Sequence, residues 1–207
     1  MPETTPTADL PVAVIGAGPI GLAAAAHLVT RGIEPIVFEG GPTPAAAILE
    51  WGHIALFSPW KYNIDQAART LLESTDWQEP DGDCLPTGAE LVGDYLTPLA
   101  DTPKLRDTIH TNTRVIAVSR VGLDRTRTPG RENAAFLVRT QNTDEKVDDH
   151  EVRAVIDASG TWDTPNPLGQ AGLPAIGETA ARDAGLVTSP LPDVLGSDRE
   201  QFAGRHA

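Results

Sequence analysis

Hydrophobic and polar residues alternate differently in the two halves of the chain. In the first half the apolar residues come in short unbroken runs, Pro11-Val12-Ala13-Val14-Ile15 and Pro35-Ile36-Val37-Phe38. Runs of that length without polar interruption predict strands buried on both faces of a parallel sheet. Between them Leu22 to Arg31 is rich in Ala and Leu and predicts a helix. Pro19 falls in the first turn, where a missing N–H costs nothing, and Gly32 suits the stop. Ala45 to Glu50 predicts a short helical turn. Asn63 to Thr75 predicts an amphipathic helix, with Ile64, Ala67, Ala68, Leu71 and Leu72 on one side. Thr87-Gly88-Ala89-Glu90 has the form of a capping box and introduces a helix through Leu91, Tyr95, Leu96 and Leu99.

From Arg114 the pattern becomes strand-like. Arg114–Val121, Ala135–Thr140 and Val152–Ile156 predict three strands, and the polar segments Asp124–Asn133 and Gln141–Asp149 predict exposed connections. Beyond Thr161 the chain is rich in Pro and Gly, and no regular structure is expected. The fold class that follows is α/β, a Rossmann-like parallel sheet with helices on both faces and a small β-rich insertion at about 108–155. Residues 1–10 are expected to be a disordered tail, 11–165 the domain, and 166–207 an irregular segment.

The connection between the first two strands narrows the function. Gly16-Ala17-Gly18-Pro19-Ile20-Gly21 is a Gly-x-Gly-x-x-Gly turn between a buried strand and a helix. The second strand ends in Glu39, close to the spacing of about 20 residues expected of a dinucleotide-binding βαβ unit. Gly16 permits the tight turn. Gly18, without a Cβ, lets the backbone approach a pyrophosphate, and Gly21 and Ala25 let the helix lie close to the strand. The helix N-terminus supplies unpaired N–H groups to the anion. Glu39 can accept both hydroxyls of an adenine ribose and repels a 2′-phosphate. The motif leaves FAD and NAD both open.

Charge and cysteine content remove other classes. The formal net charge of −13 disfavours nucleic acid and anionic membrane as partners. Cys84 is the lone cysteine, so neither a disulfide scaffold nor a Cys-x-x-Cys redox pair can form within the chain. Met1–Asp9 lacks the basic and apolar regions of a signal peptide, and no run of about 18 apolar residues occurs, so a cytoplasmic protein is expected. His27 is read as structural. His110, His150 and the acidic run from Asp144 to Glu151 show no metal-ligand spacing.

The run Val12–Ala25, with Leu28, Gly32 and Glu39, resembles the N-terminal FAD fingerprint of two-dinucleotide-binding flavoproteins. These include the flavin-containing monooxygenases and the thioredoxin-reductase-like enzymes. Val155-Ile156-Asp157-Ala158-Ser159-Gly160 resembles their second signature, an apolar strand ending in Ala-Thr-Gly, with Ser159 in place of Thr. Glu90, Leu91, Tyr95 and Leu96 are similar to the Glu-Leu and Tyr-Leu pairs of the monooxygenase-like group. The absence of the disulfide-reductase cysteines points the same way. The resemblance implies FAD as cofactor and NAD(P)H as hydride donor in complete homologues. It implies that Gly16, Gly18, Pro19 and Gly21 hold pyrophosphate, Glu39 the ribose and Val115 the adenine. It places Ala158, Ser159 and Gly160 at the edge of the site. Trp51 and Ser58 fall where the family lines the isoalloxazine, and His53 is a candidate proton donor there.

Two family features are missing. A second Gly-x-Gly-x-x-Gly, for NADPH, is not found. Neither Gly82-Asp83 nor Gly93-Asp94 suits the strand-borne Gly-Asp that closes the FAD site. The phrase Phe202–Ala207 is similar to one that leads into the NADPH domain. The expectation is therefore an FAD-binding portion whose hydride-donor half is absent, with a homodimer, or a partner chain that supplies the NADPH domain, as the candidate assembly. A non-catalytic remnant and a lone NAD- or FAD-binding module are the alternatives.

Overall fold

A computed structural model of the chain describes residues 7–188 and 190–204. Residues 1–6 of the expected tail, and the last three residues of the Phe202–Ala207 phrase, lie outside the described residues. Thr7–Asp9 form a 3-10 turn, whose Ala8 carbonyl accepts from Arg153 Nη1 at 3.3 Å.

The centre of the fold is a four-stranded parallel sheet. It contains β1 (Val12–Ile15), β2 (Pro35–Phe38), a two-residue β3 (Ile109–His110) and β7 (Ala154–Asp157), in the order β3-β2-β1-β7. Ile15 pairs with both Phe38 and Asp157, so β1, β2 and β7 end level with one another. The chain leaves the sheet at these three neighbouring C-terminal ends, and a crevice there is where open α/β sheets bind ligands.

The strand pleat sends alternate residues to opposite faces. Val14, Val37 and Ile156 pack with the helices α1 (Pro19–Thr30), α3 (Gln66–Leu72), α4 (Gly88–Leu91) and α5 (Thr97–Ala100). Ala13, Ile36, Phe38 and Val155 pack with Val138 and Val152 of the insertion. Here the expectation of helices on both faces is corrected. Helices cover one face, and a three-stranded antiparallel sheet of β4 (Thr113–Arg120), β5 (Phe136–Asn142) and β6 (Val147–Val152) covers the other. The insertion carries its own apolar face, which substitutes for a second helical layer.

β6 is the element the sequence pattern hides. The sequence pattern predicts an exposed connection over Gln141–Asp149 and one strand over Val152–Ile156. The structure instead puts Val147–Val152 in the antiparallel sheet and Ala154–Asp157 in the parallel one. β6 is an edge strand whose charged residues face outward, and Asp149 lies opposite Arg139, forming a bidentate pair at 2.7 and 2.8 Å. Only His150 and Val152 turn toward the parallel sheet, too few to produce an apolar alternation.

The helical layer carries most of the core, with Leu22, Leu72, Leu96, Leu99 and Leu105 each fully buried. Burying a side chain of that size stabilises by about 1.5–3 kcal/mol. Asp65 caps α3, accepting from Ala67 and Ala68 N–H, and its other oxygen meets His27 Nε2 at 3.1 Å. The capping box at Thr87 and Glu90 forms as expected. The helix it starts loosens over Val92–Leu96 into a π-helical stretch before α5. Pro98 accounts for this, because it offers no N–H to the carbonyl four residues earlier and its ring crowds it. That carbonyl belongs to Asp94, and it accepts from Trp77 Nε1 at 2.6 Å instead.

Beyond residue 161 two helices appear that the composition does not predict, α6 (Glu178–Asp183) and α7 (Arg199–Phe202). The buried Glu178 organises the first. Its carboxylate accepts from the N–H groups of Leu168 and Ala175 and from both Nε and Nη2 of Arg182. Among the described residues no helix is long and apolar enough to cross a membrane.

Candidate functional site

A cavity of about 580 Å³ opens at the C-terminal ends of β1, β2 and β7. Its floor is the turn from β1 into α1. Gly16 has φ +93°, and a Cβ there would lie 2.7 Å from the Ala158 carbonyl, so only glycine fits the turn. Gly21 faces the protein: a Cβ on it would sit 1.9 Å from the Gly16 carbonyl oxygen. Gly18 is different, since apart from its chain neighbours and its own helix no atom lies within 4 Å of its Cβ position. Nothing in the chain itself forbids a side chain at Gly18, so a demand for glycine there comes from what occupies the cavity. Gly18 is the N-cap of α1, and no side chain caps the helix. The first-turn N–H groups are thus left for an anion.

Glu39 follows β2 and is half-buried at the cavity wall. Its Oε2 accepts from Ala17 N–H and its Oε1 from Gly41 N–H, each at 2.8 Å. A carboxylate has about four lone-pair sites, so each oxygen keeps one for an outside donor such as a ribose hydroxyl. The same two bonds bind the glycine-rich turn to the β2–α2 loop, where α2 is Ala46–Leu49. The carboxylate is therefore fixed in place before any ligand arrives.

The far wall comes from β4. Thr113 N–H donates to the Glu39 carbonyl and Asn112 N–H to that of Gly41, both at 2.8 Å. The strand register slips between Val115 and Ala117, a β-bulge of the kind that re-aims side chains beside sites. Both Arg114 and Val115 line the cavity. The near wall is the turn after β7. Ser159 Oγ and N–H both bond Asp157 Oδ1, at 2.7 and 3.1 Å, and these bonds hold the Asp157 carboxyl below its usual range. The hydroxyl that Ser159 shares with the threonine of the resembled signature thus serves the turn.

Of the residues expected at the site, Gly16, Gly18, Pro19, Glu39, Trp51, Val115, Ala158, Ser159 and Gly160 all line this one cavity. Gly21 sits just behind it. Ser58 and His53 do not join them. Ser58 donates to Asn63 Oδ1 at 2.8 Å and shapes the loop before α3, while His53 is exposed and outside the cavity lining. Trp60 is buried in the helical core, and Trp51 lies against Gly88, whose Cβ position is 2.9 Å from the indole ring. Gly82-Asp83 is an exposed loop with Asp83 paired to Lys61, and Gly93-Asp94 lies in the π-helical stretch.

The structure adds residues that sequence reasoning passed over. Trp162 Nε1 donates to Glu50 Oε2 at 2.7 Å, and Arg114 Nη2 pairs with Asp163 Oδ2 at 3.0 Å. These contacts carry the segment Gly160–Thr164 from the β7 end across the cavity mouth toward β4. The one available signal is position: Trp162 comes two residues after the second signature, and Arg114 precedes Val115.

Residues 14–79 match the family model of an NAD(P)-binding Rossmann-like domain. No curated protein matches the sequence. Among solved structures, a bacillithiol disulfide reductase from Bacillus cereus superposes with a TM-score of 0.58 at 23% identity. That match covers 78% of this chain and 42% of the reductase. An oxidized steroid monooxygenase bound to NADP gives 0.53 at 25% identity, over 80% of this chain and 28% of that one. The FAD-bound OTEMO structure gives 0.53 at 22% identity, over 76% and 26%. The chain has the Rossmann-like FAD/NAD(P)-binding fold of these structures and spans less than half the length of each.

Proposed function

We propose that this chain is the FAD-binding portion of an NAD(P)H-dependent flavin oxidoreductase of the monooxygenase-like kind. One observation carries the reading: a single cavity collects the α1 N-terminus, the pre-positioned Glu39 carboxylate and the Ala158–Gly160 turn at the ends of three neighbouring parallel strands. The pyrophosphate would rest on the amides at Gly18. The ribose hydroxyls would donate to the open lone pairs of Glu39. The cavity continues past this end along Ala45–Ile48 to Trp51 and Trp162, which leaves room for a second ring system beyond the pyrophosphate. A flavin held there would supply the hydride-accepting and electron-passing chemistry. The chain's own part is to bind, orient and shield it.

The FAD- and NADP-bound structures among the similar folds support this choice. The NAD(P) description of the matching domain makes NADH the competing ligand. Only one glycine-rich turn of the required form is present, so the hydride donor's site is assigned to polypeptide outside these 207 residues, such as a partner chain. The reading places this work in the cytoplasm.

An absorption spectrum of the purified chain, before and after FAD is added and separated from excess, tests the proposal. Retained absorbance near ~450 nm, unchanged by NADPH, is the expected outcome. Saturable NADH binding without FAD retention would make the chain an NAD module and overturn the flavin assignment.

A further inference from the structure

The charged residues lining the cavity are Glu39, Glu50, Asp163 and a single cation among the described residues, Arg114. All three carboxylates are engaged: Glu39 by two backbone amides, Glu50 by the Trp162 indole, and Asp163 by Arg114 itself. The posture of Arg114 is unusual for a side chain that is 63% exposed. A Cβ built on Gly40 would sit 3.5 Å from both its Cζ and its Nη2 and 3.7 Å from its Nε. Three atoms of the guanidinium at nearly equal distance from one point mean that the plane lies flat over Gly40. Asp163 holds it there from a segment that belongs to the opposite edge of the parallel sheet.

The order of groups along the wall says what that plane meets. The anion site is at Gly18, the diol acceptor is Glu39, and the next wall outward is Gly40 with Arg114, tied to Glu39 by the Thr113 amide. A nucleoside whose phosphate and ribose occupy the first two positions presents its base to the third. We propose that Arg114 is the base-stacking wall of this cavity and that Asp163 is its positioning residue, so that a purine is recognised by the plane of the guanidinium rather than by its charge. This rests on the dinucleotide reading above. An ammonium has no plane to offer, which separates the two roles of a cation here. The exposed ion pair contributes little energy by itself, and its part is to fix the orientation.

Isothermal titration of the full chain with ADP, FAD and FMN tests this, on the wild type and on Arg114→Ala, Arg114→Lys and Asp163→Asn. Arg114→Ala is expected to weaken ADP and FAD by about tenfold, the size of a lost planar stack on one base. Arg114→Lys should lose nearly as much, and Asp163→Asn about two- to threefold through a wandering plane. FMN carries no purine, and its affinity should be the same in wild type and Arg114→Ala. Each side chain is exposed, so unchanged melting of all three variants is expected. Wild-type ADP affinity in Arg114→Ala overturns the proposal, and so does Arg114→Lys binding like wild type, which would make charge the operative property. A wild type that binds ADP and not FAD defeats the flavin reading and leaves Arg114 testable on ADP. A wild type that binds neither defeats both.

Discussion

A methyl group added at Gly21 and one added at Gly18 should have opposite consequences, although both glycines belong to the same motif. At Gly21 the new carbon would lie 1.9 Å from the Gly16 carbonyl oxygen, about 1.5 Å short of ordinary contact. The obstacle is backbone, so α1 must move away from the turn. α1 buries Leu22, Ala25 and Ala26 completely, and they would move with it. Overpacking of this kind costs about 1–3 kcal/mol, and the upper end applies where backbone has to yield. Alanine regains up to about 1 kcal/mol of helix propensity. The net loss of about 2 kcal/mol corresponds to a fall of about 4–8 °C in melting temperature for a chain of this size. At Gly18 no protein atom opposes the methyl, so Gly18→Ala should melt within about 2 °C of wild type. Its effect should fall on the ligand, with FAD affinity lower by at least about tenfold, because the backbone can no longer close on the pyrophosphate. Thermal unfolding followed by far-UV circular dichroism, without ligand, measures the first pair of values, and fluorescence titration with FAD the second. A Gly21→Ala protein as stable as wild type would refute the close-approach argument. Gly18→Ala binding FAD as wild type does would remove the pyrophosphate from that turn.

Three further perturbations follow from the geometry. Glu39→Gln replaces one acceptor oxygen with an NH2, leaving either the Ala17 or the Gly41 amide without its partner. A loss of about 1–2 kcal/mol in the ligand-free protein is expected, together with weaker FAD binding, and denaturant titration with and without FAD separates the two. Trp77→Phe strands the Asp94 carbonyl that Pro98 has already deprived of a helical donor, and urea unfolding should show a loss of about 1 kcal/mol; no change would mean that solvent satisfies that carbonyl. His150 sits under the Phe38 ring at 4.8 Å and bonds Thr140 Oγ1 at 3.1 Å. Burial, reinforced by His110 and opposed by Asp148 and Asp149, lowers its pKa from 6.5. A histidine with a lowered folded pKa stabilises fully above the unfolded value. Stability should therefore decline as pH falls from about 6.5 toward the folded pKa, and His150→Phe should flatten that part of the profile. An unaltered pH dependence in the variant would place the titration elsewhere.

Where the sequence pattern succeeded, neighbouring residues encode the structure between them. Thr87 and Glu90 cap one helix within four residues, and the whole path from Val12 through the glycine turn to Glu39 is one continuous stretch of chain. Its pattern needs no distant partner to be read. Where it failed, the deciding partner was remote. β3 has two residues, too few to leave a periodic trace, and exists because β2 offers it an edge. β6 is charged because its outer face meets Arg139 and solvent. His53 and Ser58 lie outside the cavity lining, Ser58 bonded to Asn63 in the loop that buries Trp60 in the core and His53 exposed. α6 is held by Glu178, whose carboxylate is satisfied by amides from Leu168 and Ala175.

The sequence by itself determined the glycine-rich turn, the acid at the end of β2 and the hydroxyl in the turn after β7, because each depends on backbone conformations and spacings set locally. Only the tertiary structure decided that a β-sheet rather than a helix layer closes the second face, and that Gly160–Thr164 crosses the cavity mouth. It also decided that Arg114 lies flat over Gly40. The first depends on Ala13 and Phe38 packing against Val138 and Val152, and the other two on Trp162 meeting Glu50 across 112 positions and Arg114 meeting Asp163 across 49. A pair so far apart leaves no periodicity in the chain, and becomes visible only when the sheet order brings its two ends together.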